Sequence, residues 1–174
     1  MSTPRLVQPA CIDDLLLYRL SRLVSVAGSM VIRLCEGRFG ITRREWRLLA
    51  VLAAEDELLS SQLAERAQLD RARTSRAITS LVAKQLVRRQ AGVADRRHAR
   101  VTLAPAGRAL YGEMFPLVRA INQALLEPVP HADLATFDSW LDGMQQQAEL
   151  LVQQAELPKA DRRRGGRVRM AATR

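Results

Sequence analysis

The stretch "SSQLAERAQLDRARTSRAITSLVAKQLV", residues 60–87, constrains the fold more than any other part of the chain. Leu63, Ala64 and Ala67 recur at helical spacing behind Ser60 or Ser61, either of which can act as N-cap, and a tight "QLD" turn follows. Asp70 can cap a second helix whose Ala77, Ile78, Leu81, Val82 and Leu86 face inward, so that its first two turns project Arg71, Arg73, Thr74, Ser75 and Arg76. Two short helices with small residues at their crossing and an Arg-rich start to the second are what a helix-turn-helix requires, because the N-terminal part of its second helix must enter a major groove. Arginine offers guanine a bidentate fork, and Ser and Thr hydroxyls serve phosphates or either base. The plainer reading of the same pattern is a helical hairpin with a solvated basic face.

The next residues favour the first reading. "LVRRQ" and "HARVTL" are strand-like, with Ala99, Val101 and Leu103 on one side and His98, Arg100 and Thr102 on the other, and "AGVADRR" joins them. A β-hairpin directly after such a helix is a wing, whose arginines Arg96 and Arg97 can reach phosphates or a narrow minor groove. Phosphate would repel Asp95, which is therefore read as holding an arginine in place by a charge-assisted hydrogen bond. A metal site at His98 and Asp95 is not expected. The two histidines (His98, His131) and two cysteines (Cys11, Cys35) lack the spacings that put ligands on one face, so no metal and no cofactor are predicted. Only Asp70 and Asp95 supply carboxylates in the basic region, too few for metal-dependent nuclease chemistry, and the chain is not read as an enzyme.

Charge is distributed to match. The formal net charge of +9 comes from 27 Lys and Arg against 18 Asp and Glu, and it is segregated. Residues 1–65 have 8 basic and 8 acidic groups, 66–108 have 11 against 2, 109–158 have 1 against 7, and 159–174 have 7 against 1. Basic charge gathered in one segment is the footprint of a polyanion binder. Aromatic residues make up only 4% of the chain, which disfavours modules that stack single-stranded bases on exposed rings.

Outside this region the apolar residues keep helical periods. Ile12, Leu16, Leu20, Leu23, Ala27, Met30 and Leu34 mark a first helix from Ile12 to Cys35, widened by Leu17, Val24 and Val31 and stopped by Gly37 and Gly40. A stripe this broad meets a large core or a second subunit. "ITRREWRLLAVLA" has Thr42 as N-cap, Glu45 to close a capping box, and Ile41 with Trp46 at the staple positions, ending near Ala54 where "EDELLS" turns the chain. Leu110, Met114, Leu117, Ile121 and Leu125 line a helix that contains Pro116, and Leu134, Phe137, Leu141, Met144, Ala148 and Leu151 line a last one. The final "PKADRRRGGRVRMAATR" has charge and glycine without an apolar face, and is read as a disordered basic tail that adds non-specific DNA affinity. No 18-residue apolar run and no signal-peptide core occur, so no membrane association and a cytoplasmic location are expected.

In "ITRREWRLLAVLA", "LAERAQLDRARTSRAITSLVAKQLVRR" and "DRRHARVTLAPAGRAL" the chain resembles the multiple antibiotic resistance regulator (MarR) family of winged-helix transcription factors, from about Ile12 to Leu151. Asp95-Arg96-Arg97 matches the family's D-x-R element, while Ala104 stands where members usually have a helix-capping threonine, partly offset by Pro105. The resemblance implies a mainly α fold with a small β-hairpin: a dimeric winged helix-turn-helix in which N- and C-terminal helices form the dimerisation region. The implied organisation is an arm (1–10), a dimerisation helix (11–40), a DNA-binding lobe (41–104), two further dimerisation helices (105–157) and the tail (158–174). It also implies that Arg97 enters the minor groove and that Asp95 orients it.

The partners implied are a double-stranded, pseudo-palindromic operator, a second copy of the chain, and a small aromatic carboxylate that releases the DNA, so that a repressor would control catabolic or efflux genes. Arg19, Arg22, Arg33, Arg43 and Arg47, with Trp46 beside them, are the candidates for the effector pocket, each having a plainer role in ion pairs or core. The alternative is a thiol redox switch at Cys11 or Cys35, although peroxide-sensing relatives carry their cysteine at the position of Leu17.

Overall fold

The computed structural model describes residues 4–90 and 99–156, and these form two units, Met1–Glu127 and Pro128–Arg174. In the first, helix α1 spans Leu16–Arg33, shorter at its start than the apolar period predicts. The Asp14 carboxylate accepts from the amides of Ala10 and Cys11 (3.1 and 3.3 Å), which holds Ile12–Asp14 in a separate 3₁₀ turn, and extended Leu15 breaks the path. At its other end α1 runs through Gly37 as a π-helical turn, Leu34–Arg38, that buries Cys35. The reversal comes at Gly40, whose φ of +62° suits a residue without a side chain.

Helix α2 (Arg43–Glu55) begins as its sequence predicts. The Glu45 amide donates to Thr42 Oγ1 (3.2 Å), the Thr42 amide donates to Glu45 Oε2 (2.6 Å), and Ile41 and Trp46 are both buried. The expected turn after it is instead strand β1, Glu57–Leu59. Three residues are too few to display an alternation, yet Leu58 faces the core. Helix α3 (Ser60–Arg66) is capped from Leu59 and not from a serine. The Leu59 amide donates to Gln62 Oε1 (3.0 Å), and the Ser60 hydroxyl is drawn off to the Ala99 carbonyl (3.2 Å). Helix α4 covers Arg71–Ala83 and is followed by strands β2 (Val87–Gln90) and β3 (Arg100–Leu103).

Among the described residues the three strands form one antiparallel sheet in the order β1-β3-β2, with Leu58 opposite Val101 and Val87 opposite Leu103. The core lies between this sheet and the helices: Leu48, Leu49, Leu52, Leu63, Ile78, Leu81, Val101 and Met114 are fully enclosed, and each contributes about 1.5–3 kcal/mol by burial. Val82, expected inward, is 40% exposed because Ala77, Ile78 and Leu81 already fill the face of α4 that meets the core.

Helix α5 (Pro105–Leu126) starts at Ala104, which supplies no side-chain cap, with Pro105 in its first position and Pro116 inside it. Its first turn lies on the chain linking α4 to β2. The Leu86 carbonyl accepts from the Ala104 amide (3.0 Å) and would lie 2.0 Å from a Cβ at Gly107, so only glycine fits there. The second unit contains a 3₁₀ turn, His131–Asp133, and helix α6, Leu134–Gln154. No helix of the described residues is long and apolar enough to cross a membrane.

Candidate nucleic-acid interface

Helix α4 is locked at its start by Asp70. One carboxylate oxygen accepts from the Arg73 amide (2.8 Å), and the other lies 3.0 Å from Arg73 Nε. Arg71, Arg73, Ser75 and Arg76 are exposed on the first two turns, as the sequence predicts. Thr74 is corrected: it is 1% exposed and its hydroxyl donates to the Asp70 carbonyl (3.0 Å), so it belongs to the core side of the helix. Behind the exposed arginines, Ala77, Ile78 and Leu81 pack inward, while Leu63 and Ala64 of α3, with Ala67 at its end, are buried facing them.

Both helices of the motif end in the same way. Gln68 and Gln85 adopt positive φ (53° and 59°), and the amides of Leu69 and Leu86 bond back to the carbonyls of Ala64 (3.0 Å) and Leu81 (2.9 Å). These paired ends fix the tight turn between α3 and α4 and the exit from α4 into β2.

An ion pair that sequence reasoning missed, its carboxylate buried and its lysine partly exposed, ties α4 to α2. Glu45 is 1% exposed; Lys84 Nζ lies 2.9 Å from its Oε2 and 3.1 Å from its Oε1, and donates also to the Gly40 carbonyl (2.8 Å). Burial pushes the Glu45 carboxyl up, but hydrogen bonds from Ser80, the Thr42 amide and Lys84 outweigh it and hold the group below the ordinary carboxylate range. Next to this pair runs an open cleft of about 380 Å³ lined by Thr42, Arg44, Glu45, Arg73, Arg76, Ala77 and Ser80. Its arginines give it a positive rim on the side of α4 that carries the exposed polar residues.

Beyond α4, Arg88 and Arg89 of β2 and Arg100 of β3 are exposed, and Arg100 pairs with Glu57 across the sheet. Asp95, Arg96, Arg97 and His98 lie outside the described residues, as does the basic tail. Among the described residues no group of three or more His, Cys, Asp or Glu is arranged to hold a metal ion.

The effector candidates do not converge on one cavity. Arg19 and Arg22 line a cleft with Leu23 and Val26, and Arg22 pairs with Asp13 (2.9 Å). Arg43 and Arg47 line another with Ile32 and Glu36; Arg47 donates to the Ala67 carbonyl (3.0 Å), and the Arg43 guanidinium lies against Gly28 of α1. Trp46 is buried and stacks on Tyr111 (5.5 Å between ring centroids), a core role. Arg33 borders a mainly apolar cleft of about 490 Å³ with Met30, Leu34, Leu117 and Ile121, contributed by α1, the turn after it and α5. Of the cysteines, Cys11 is exposed and Cys35 is buried; burial pushes the Cys35 thiol up to about 11, with Glu36 adding to the effect, which opposes formation of the reactive thiolate.

An exposed, arginine-bearing helix on an α3–turn–α4 frame, followed by a hairpin, is the arrangement of a winged helix-turn-helix. The model of the MarR family matches residues 39–98, the stretch that holds this frame. Over those residues the winged-helix lobe is similar to the MarR family. A transcriptional regulator of the MarR family from Silicibacter pomeroyi is similar over 84% of this chain and 94% of its own, with 26% identity and a TM-score of 0.67. BpsR of Bordetella bronchiseptica, whose DNA binding is regulated by 6-hydroxynicotinic acid, shares the fold over 73% of this chain and 98% of its own, at 24% identity and a TM-score of 0.63. NadR in complex with 4-hydroxyphenylacetate shares it over 72% of this chain and 89% of its own, at 23% identity and a TM-score of 0.61. The sequence matches no curated protein. Helix α4 is thus held by Asp70 at its start and by Lys84 at its end.

Proposed function

We propose that the chain is a homodimeric repressor that binds a pseudo-palindromic operator and is released by a small aromatic acid. The observation that carries the DNA-reading part is the division of α4 into an exposed face with Arg71, Arg73, Ser75 and Arg76 and a buried face with Ala77, Ile78 and Leu81. In this reading those four residues meet bases and phosphates in the major groove, while Arg96 and Arg97 engage the minor groove with Asp95 orienting Arg97. The dimer is supported by the apolar residues that α1 and α6 leave exposed, among them Leu17 (80%), Val26 (74%), Trp140 (62%) and Val152 (78%). Two α4 helices one DNA turn apart would then read the two half-sites.

The effector reading rests on the cleft beside Arg33. Its apolar walls suit an aromatic ring, and Arg33, which makes no ion pair among the described residues, is available to a carboxylate. BpsR and NadR, whose ligands are aromatic acids, support that chemical class. The test is an anisotropy titration of a fluorescent duplex selected by the protein from a randomised pool. Affinity should fall steeply as salt rises, Arg97→Ala and Asp95→Asn should each cost roughly tenfold, about 1.4 kcal/mol, and the double variant should lose little more than Arg97→Ala alone. Hydroxybenzoates, hydroxycinnamates and hydroxynicotinates should be screened for release of the wild type, with Arg33→Leu insensitive to the active compound. Binding indifferent to salt and to Arg97→Ala sinks the DNA-contact assignment.

A further inference from the structure

Glu45 is buried while Lys84 keeps about a third of its side chain exposed, and burying a carboxylate is costly unless directed partners meet it. The Glu45–Lys84 pair therefore calls for a reason other than holding the core together. Its geometry supplies one. A single ammonium is shared by the Gly40 carbonyl in the loop before α2, by Glu45 in the first turn of α2, and by the end of α4, where Lys84 is the C-cap. Ser80, one turn earlier on α4, lies beside the same carboxylate in the cleft and helps to lower its pKa. Positions 73, 76, 80 and 84 are spaced by three and four, so the residues of this clamp and the arginines Arg73 and Arg76 occupy one face of the helix. Arg73, Arg76, Ser80 and Glu45 also line one cleft.

The neighbouring face of α4, with Ala77, Ile78 and Leu81, is apolar, and apolar contact is non-directional: it holds a helix down while leaving rotation and sliding weakly determined. Hydrogen bonds from Lys84 to a fixed carboxylate and to the Gly40 carbonyl are directional. We propose that Glu45, Ser80 and Lys84 are positioning residues that set the rotation and axial register of α4, so that discrimination between DNA sequences depends on a cluster that touches no DNA. The inference rests on the reading of α4 as the recognition helix. A rotation of α4 moves Arg73 and Arg76 off base edges but leaves the total positive charge near the phosphates unchanged, so the clamp governs sequence preference and leaves non-specific affinity alone.

The experiment compares the full-length wild type with Glu45→Gln/Lys84→Met and with Ser80→Ala. The double variant conserves net charge and approximate volume, and Ser80→Ala removes the hydroxyl beside the carboxylate while the ion pair stays. Each is titrated against the duplex selected by the wild type and against a scrambled duplex of equal length and composition, with circular dichroism melting as control for folding. Both variants should melt cooperatively. The double variant should lose about tenfold in affinity for the selected duplex and Ser80→Ala about threefold, with affinity for the scrambled duplex and its salt dependence unchanged. Undiminished preference in both folded variants overturns the clamp while leaving the DNA-reading function in place. Equal losses on both duplexes, or a double variant that no longer melts cooperatively while Ser80→Ala keeps full preference, also overturn it. A wild type with no preference for any duplex overturns the DNA-reading function and the clamp with it.

Discussion

Glu45 illustrates how a single side chain acquires a stability signature. Its carboxyl titrates below the ordinary value of 4.5, so above that pH the native state gains stability from the ionised group, and the gain is lost as pH falls through the lower folded value. Melting temperature should therefore decline more steeply below about pH 4.5 in the wild type than in Glu45→Gln; parallel profiles would assign the acid sensitivity to other groups. The two thiols should separate as cleanly. At pH 8 iodoacetamide is expected to modify Cys11 in the native protein and Cys35 only after denaturation, as read by intact mass, given a Cys35 thiol that is enclosed and shifted up to about 11. The caps at Thr42 and Asp70 were legible in the sequence because a capping bond spans only three residues. Thr74 was not: its hydroxyl suggested an outward face, whereas its spacing of three and four from Ala77 and Ile78 puts it inside. The partnership of Glu45 with Lys84, 39 residues apart, had no local signal at all.

At the level of elements, long periodic helices were readable and short structures held by distant partners were not. Strand β1 exists because β3 lies beside it, and no pattern within Glu57–Leu59 announces that pairing. The start of α1 was misplaced for a local reason, since Asp14 turns back to bond the preceding amides and removes Ile12–Asp14 from an otherwise regular apolar stripe. Both strands of the hairpin and the Pro105 start of α5 agree with the sequence reading. Helix α4 offers a direct test of how its first turn is held. Asp70→Ala removes the acceptor for the Arg73 amide and the partner of its guanidinium, and should lower unfolding free energy by about 1 kcal/mol in chemical denaturation. Asp70→Asn, which keeps the capping acceptor, should recover most of that loss; equal destabilisation by both would mean that the cap is not what the aspartate provides.

For the whole molecule, charge and apolar surface point to different partners. The basic excess lies in residues 66–108, with 11 basic groups against 2 acidic, whereas the exposed apolar residues lie largely on α1 and α6. Light scattering should accordingly report a dimer at micromolar concentration that persists in high salt, where DNA affinity is lost, because hydrophobic association is not screened. A monomer under those conditions would count against the assembly and against a palindromic target.

The contact between Gly107 and Leu86 has a consequence for motion. Leu86 closes the C-terminal end of α4, stands at the entrance to β2, and holds the Ala104 amide and the first turn of α5 against its carbonyl with no side chain interposed. A joint between two backbones has little slack, since there is no rotamer to absorb a displacement. The three elements behave at that point like parts keyed to one shaft, and a tilt at the foot of α5 cannot be taken up locally before it reaches helix α4.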